Sequence, residues 1–255
     1  MNEPLPADLI PGAEPWSHDG GPAGVLVLHG FTGNPGSMRG VAEALAEAGF
    51  TVDLPLLPGH GTKVEDMIPT GWSDWSAHAE ARYQALAARC EQVVVVGLSM
   101  GGALTAWLGA QHPEIVGLVC INAVVSVPPG MREAVAEVLA TGADRFAGIG
   151  SDIAKPGVVE TAYAETPLAP LLTLFDAADE FGDRLGDITS PMLIVTSTQD
   201  HVVPPDNSDL LASSVSGPVE RLVCERSYHV VTQDYDAEAV IERTVDFARK
   251  VTAGA

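Results

Sequence analysis

Gln92-Val93-Val94-Val95-Val96-Gly97-Leu98-Ser99-Met100-Gly101-Gly102 is the stretch that decides the fold. Four consecutive valines make an apolar, β-branched run, the pattern of a strand covered on both faces. The run ends in G-x-S-x-G and passes directly into Met100–Gln111, a helical pattern stopped by His112-Pro113. A strand that bends this sharply into a helix needs small neighbours, which Gly97 and Gly101 supply. The bend holds the Ser99 hydroxyl above the carboxyl edge of the sheet, at a helix N-terminus whose dipole favours developing negative charge. A Gly-rich turn with an incidental serine would share the glycines; the strand before and the helix after are the context a nucleophile demands.

Working outward, the spacing predicts further strands at Gly24–His29, Thr51–Leu54, Ile115–Asn122, Pro191–Ser197 and Val219–Cys224. Helical patterns fall between them at Ser37–Ala48, closed by Gly49, and at Ser73–Arg89, with Tyr235–Lys250 at the end. Such alternation predicts an α/β fold with a mostly parallel sheet flanked by helices. It breaks once. Residues 123–190 carry no clear strand and are too long for an ordinary connection. They hold a helical stretch at Met131–Leu139, Gly- and Pro-rich turns, and an apolar stretch at Leu168–Phe175. The expectation is a core of residues 1–122 and 191–255 with 123–190 inserted as a cap; a helix plus a disordered loop is the alternative.

A serine hydroxyl is a poor nucleophile near neutral pH, so it needs a base and an acid to orient that base. In a G-x-S-x-G strand-turn-helix fold the acid and then the histidine follow the serine in the chain. His18, His29, His60, His78 and His112 therefore drop out, leaving His201 and His229. Asp200 lies just past the Pro191–Ser197 strand, and His201 is its immediate neighbour, where adjacent side chains rarely point the same way. His229 lies past the last strand, on a loop that can hang over the same sheet edge. Asp200 is thus the expected acid and His229 the expected base, with Asp206, Asp209 and Asp234 as rival acids. An oxyanion hole would use the Met100 backbone N–H and one from the loop His29-Gly30-Phe31-Thr32-Gly33, where Phe31 is the expected donor. His29 is then a structural residue of that loop.

Composition bounds the function class. Acidic residues outnumber basic ones by 34 to 13, a formal charge of −21, which repels nucleic acid and anionic membrane surfaces and suits a small neutral substrate. Cys90, Cys120 and Cys224 are odd in number and show neither C-x-x-C nor zinc spacing, and the last two sit in apolar runs as expected packing residues. No run approaches a membrane span. Met1–Pro6 lacks the pattern of a signal segment, so a cytoplasmic protein is expected. Nothing bears on monomer against homodimer.

On the stretches His29–Gly33, Leu57-Pro58-Gly59-His60-Gly61-Thr62, Gly97–Gly102, Asp200-His201-Val202-Val203-Pro204 and Ser227-Tyr228-His229-Val230, the chain resembles the α/β-hydrolases. Phe31, the Thr70–Trp75 stretch and the short insert are similar to the small bacterial carboxylesterase and monoacylglycerol lipase group. The resemblance implies a sheet of six or seven strands and serine-dependent hydrolysis of short- to medium-chain esters or monoacylglycerols, without metal or organic cofactor. Tyr228 departs from the family's usual glycine before the histidine, which bears on substrate size. Residues 1–22 are Pro- and Gly-rich, so the extra N-terminal strands of larger members are not expected. Leu168, Leu171, Leu172, Leu174 and Phe175 could line an acyl tunnel or pack a small core of the cap. A thioesterase, a carbon–carbon bond hydrolase with the same triad, and a receptor of this fold with little turnover are the competing functions.

Overall fold

The computed structural model describes residue 6, residues 8–148 and residues 150–253. Met1–Leu5, part of the stretch read as lacking a signal segment, lie outside them. The strands in chain order are β1 (Trp16–His18), β2 (Ala23–Leu28), β3 (Thr51–Leu54), β4 (Gln92–Leu98), β5 (Gly117–Ile121), β6 (Arg145–Ala147), β7 (Glu165–Pro167), β8 (Met192–Ser197) and β9 (Val219–Cys224). The α-helices are α1 (Arg39–Glu47), α2 (Val64–Met67), α3 (Trp72–Ala87), α4 (Met100–Gln111), α5 (Met131–Ala140), α6 (Leu168–Gly182), α7 (Asp206–Ser214) and α8 (Ala237–Thr252).

Seven strands form one sheet in the order β1-β3-β2-β4-β5-β8-β9, parallel throughout except where β1 runs against β3. The unbroken apolar character of the central strands follows from their position. Alternate residues of β4 face opposite ways: Val93 and Val95 pack with Leu26 and Cys120 on one face, Val94 and Val96 with Val25 and Val119 on the other. Side chains of α3 and α4, such as Tyr83 and Leu104, cover the first face, and those of α1 and α8, such as Leu45 and Phe247, cover the second. Each fully buried Val or Leu contributes roughly 1.5–3 kcal/mol, so the sheet is anchored at its centre. Register then aligns the strand ends. Leu28 pairs with Gly97, Leu98 with Ile121 and Ile121 with Val195, so the loops after β2, β4, β5, β8 and β9 open on one edge.

Two expectations need correction. Residues 1–22 do supply a strand: Trp16-Ser17-His18 adds an antiparallel edge to β3. Three mostly exposed residues have no periodicity of their own, and the open edge of β3 provides the pairing. The strand expected at Ile115–Asn122 is trimmed to Gly117–Ile121; at its carboxyl end Asn122 turns to φ +43°, with its N–H still donating to the Val195 carbonyl at 2.9 Å.

Between β5 and β8 lie α5, the antiparallel pair β6–β7 and α6, the last running seven residues past the expected Phe175. The pair β6–β7 is the second strand signal that the sequence hides. The apolar side chains divide between two tasks. Leu168 and Phe175 pack with Val135 of α5 in a small core of the insert, flanked by Leu171 and Leu172, whereas Leu174 joins the main core beside Phe181. Among the described residues no helix is long and apolar enough to cross a membrane.

Candidate active site

The site grows from the bend at the end of β4. Ser99 has φ +58° and ψ −117°, a strained backbone for a residue with a side chain, of the kind that costs about 1–3 kcal/mol and is held by its surroundings. What holds it is close packing. A Cβ on Gly97 would stand 2.0 Å from the Gly101 carbonyl oxygen, and one on Gly101 would stand 2.2 Å from that of Leu28. Only glycine at both positions lets β4, α4 and the end of β2 come this near. The Ser99 N–H donates to the Ile121 carbonyl at 2.9 Å, which locks the bend to β5.

The loop after β2 lies directly against the serine: a Cβ on Gly30 would be 3.3 Å from that of Ser99. Both Gly30 and Gly33 read as the pliable points of this loop, yet the residue with positive φ is Thr32, at +59°. Phe31, the residue after Gly30, packs its ring edge-on to Trp75 at 5.7 Å between centroids. Met100 is the first residue of α4, and its N–H belongs to the turn that has no partner inside the helix. His29 is fully buried. Its Nε2 accepts the Leu57 N–H at 3.1 Å, so Nδ1 carries the proton and donates to the Gly30 carbonyl at 3.0 Å. Burial, with the nearby His60 ring, holds its pKa well below the ordinary value, so it stays neutral.

Past β8, Asp200 is oriented by its own turn. Its Oδ1 accepts the N–H groups of Val202 and Val203, both at 2.8 Å, and its Oδ2 meets His229 Nδ1 at 2.7 Å. The carboxylate is 1% exposed and the imidazole 9%. An ionised carboxylate only accepts, so Nδ1–H is the donor and the lone pair of neutral His229 stands on Nε2. His201 points elsewhere, toward Asp152 at 2.8 Å and the face of the site where its ring meets that of Tyr228. Tyr228 thus packs on His201, and its N–H donates to Asp234. Two of the three rival acids are engaged elsewhere, Asp209 with Arg221 and Asp234 with the N–H groups of Ala154, Lys155 and Tyr228, while Asp206 opens α7 with its Oδ1 3.5 Å from Asn207 Nδ2.

Three residues of this region carried no sequence signal. Asn122 stands at the end of β5 with its Nδ2 donating to the His229 carbonyl at 2.7 Å and to Ser197 Oγ at 3.1 Å. It ties the histidine loop to the strand that also holds Ser99. Glu160, in the insert, brings its carboxylate to the loop after β2, where a Cβ on Gly33 would be 3.1 Å from Oε1. Burial pushes its pKa up, and its charge acts on His229. Asp152, also in the insert, accepts the His229 N–H at 3.0 Å. For His229 itself, burial opposes the charged form, but the hydrogen bond and charge of Asp200 outweigh it. With the added charges of Glu160 and Asp152, the net shift is upward from 6.5.

A family model described as alpha/beta hydrolase family matches residues 25–243. The chain is 46% identical to a thermostable monoacylglycerol lipase of Bacillus sp. (strain H-257), over 98% of this chain and 99% of that protein. It is 28% identical to a carboxylesterase of Bacillus subtilis (strain 168), over 93% and 97% of the two chains. Among solved structures, one described under LipS and LipT, two metagenome-derived lipolytic enzymes, superposes with a TM-score of 0.91 at 42% identity, over 95% and 99% of the two chains. A monoacylglycerol lipase structure from Paleococcus ferrophilus, at 18% identity and a TM-score of 0.73 over 93% and 99%, shares the fold.

Proposed function

The chain is a hydrolase of the alpha/beta hydrolase family, and from that premise we propose that it cleaves neutral carboxylic esters, monoacylglycerols included, through Ser99, His229 and Asp200. The observation that carries this reading is the 2.7 Å contact of His229 Nδ1 with Asp200, on the same sheet edge as the strained Ser99. Ser99 Oγ attacks the ester carbonyl carbon while its proton passes to His229 Nε2. The backbone N–H groups of Phe31 and Met100 take the negative oxygen. Collapse expels the alcohol, which leaves with the proton from Nε2, and water then cleaves the acyl-enzyme by the same steps. Asp200 holds the ring in the needed tautomer and stabilises the imidazolium.

Charge supports an uncharged substrate over a coenzyme A thioester, whose phosphates would want free guanidinium or ammonium groups. The arginines of the insert are engaged with carboxylates: Arg132 with Asp176 and Asp179, Arg145 with Glu65 and Asp144, Arg184 with Asp187. The names of the two bacterial relatives, a monoacylglycerol lipase and a carboxylesterase, support esters of the same kind. Steady-state hydrolysis of p-nitrophenyl esters of rising chain length, and of a monoacylglycerol, tests the substrate class. Turnover of medium-chain esters and of the monoacylglycerol is expected. Turnover confined to thioesters or diketones would overturn it.

The base works only when neutral, so kcat/KM is expected to fall as pH drops through the raised pKa of His229. Three carboxylates act on the ring through their charge, Asp200 from the loop after β8 and Glu160 and Asp152 from the insert. Glu160→Gln removes one negative charge that favours the imidazolium, so the acid limb should move to lower pH. A p-nitrophenyl acetate profile across the neutral range reads this directly, and a limb that stays in place would contradict it.

A further inference from the structure

The insert grips both loops that carry the proposed base and acid, and one of its side chains bonds to both. Asp152 is 10% exposed and its carboxylate spans them. Oδ2 accepts the backbone N–H of His229 at 3.0 Å and that of His201 at 3.2 Å, and Oδ1 accepts the ring Nδ1–H of His201 at 2.8 Å. His201 directly follows Asp200, so the two backbone donors belong to the base and to the neighbour of the acid. The Asp152 carbonyl adds a bond from the Val230 N–H at 3.1 Å. Contacts also run the other way. Asp234, five residues past His229, accepts the N–H groups of Ala154 and Lys155 at 2.7 and 2.9 Å and that of Tyr228 at 2.8 Å. Segment 152–155 is therefore stapled on both sides of His229.

We propose that Asp152 is a positioning residue for the reaction: it sets the separation of the loops after β8 and β9, so that His229 stays seated on Asp200. The inference rests on the reading of those two residues as base and acid. The physical reason is that each loop leaves the sheet at a strand end, and past it Thr198 N–H to the Cys224 carbonyl and the Gln199 side chain to the Glu225 carbonyl join them only short of Asp200 and His229. The β8–β9 pairing ends at Ser197 and Cys224, three residues before Asp200 and five before His229. A hydrogen bond of 2.7 Å between side chains on such loops needs ties beyond the strand ends: Asn122 holds the His229 carbonyl to Ser197, and a carboxylate that accepts N–H groups from both loops, as Asp152 does, is a strong further one. It also makes the seating of the insert a condition for a competent base.

The test is the rate at which a fluorophosphonate reacts with Ser99, normalised to folded protein by circular dichroism, beside kcat and KM on p-nitrophenyl acetate. Asp152→Ala should lower the phosphonylation rate and kcat by roughly tenfold to a hundredfold, the scale of a misplacement near 1 Å, with KM nearly unchanged. Asp152→Asn keeps an oxygen for the backbone donors and should recover part of the loss. If the alanine variant fails to fold, the asparagine variant decides, with a smaller loss in the same direction. Folded variants whose Ser99 is phosphonylated at the wild-type rate would overturn the role and leave Asp152 a structural staple. A wild-type adduct on a residue other than Ser99 would instead remove the catalytic reading itself, so the two failures are distinct.

Discussion

Ser99→Ala is expected to lower kcat by roughly 10⁵–10⁶-fold while KM for a soluble ester stays close to that of the parent. The proposed chemistry passes through a bond from Ser99 Oγ to the acyl carbon, and alanine offers no atom to make it. What survives is the binding of the ester and the two backbone donors of the oxyanion hole, which still favour attack by water to a small extent. The variant should fold as well as the parent. Alanine is smaller than serine, and the constraint at φ +58° bears on any residue with a Cβ alike. Steady-state kinetics with thermal melting separates the cases: near-total loss of kcat at an unchanged melting midpoint is the expected result.

Asp200→Asn should lower kcat by about 10⁴-fold, for a reason specific to this geometry. Oδ1 of Asp200 already accepts two backbone N–H groups, from Val202 and Val203. An asparagine must keep its oxygen there, which turns its NH2 group toward His229. The amide then donates to Nδ1, the imidazole proton moves to Nε2, and the ring can no longer accept the proton of Ser99. Shape and volume barely change, so substrate binding and folding should persist. Asp200→Ala would also be slow, but by leaving the ring unoriented rather than by fixing the wrong tautomer. Comparing kcat for the two variants checks the argument. An asparagine variant as active as the parent would show that the oxygen assignment, or the role of Asp200, is wrong.

The readable parts of this chain share one physical trait, that the cause lies within a few residues of the effect. The valines of β4 read as a doubly covered strand because both faces of that strand are in fact buried. Gly97 and Gly101 read as a tight bend because a Cβ at either would strike backbone. Asp200 was legible from its place past an apolar strand, and His229 from chain order. The structure brings those two into contact and sets Ser99 on the bend of the same edge.

What stayed hidden depends on distant partners. β1 exists because β3 has an open edge about 35 residues later, and a stretch of Trp-Ser-His says nothing of that. β6 and β7 are three residues each and find one another across a loop. Asp152 acts on His229 from 77 residues away and Glu160 acts through charge, so neither leaves a motif in a Gly- and Pro-rich segment. Leu168 to Phe175 illustrates a different limit. Periodicity marked the stretch as apolar, but only the packing shows which side chains serve the insert and which the main core.

The claim that Ser99 is the nucleophile is tested most directly by locating a covalent adduct. The protein is treated with a fluorophosphonate, digested, and mapped by mass spectrometry while residual ester hydrolysis is followed in parallel. One phosphonyl group per chain, on the peptide that holds Gly97–Gly101 and at Ser99, with activity lost in step and no adduct in Ser99→Ala, is the expected result. An adduct elsewhere, or full activity in a completely labelled protein, would contradict it.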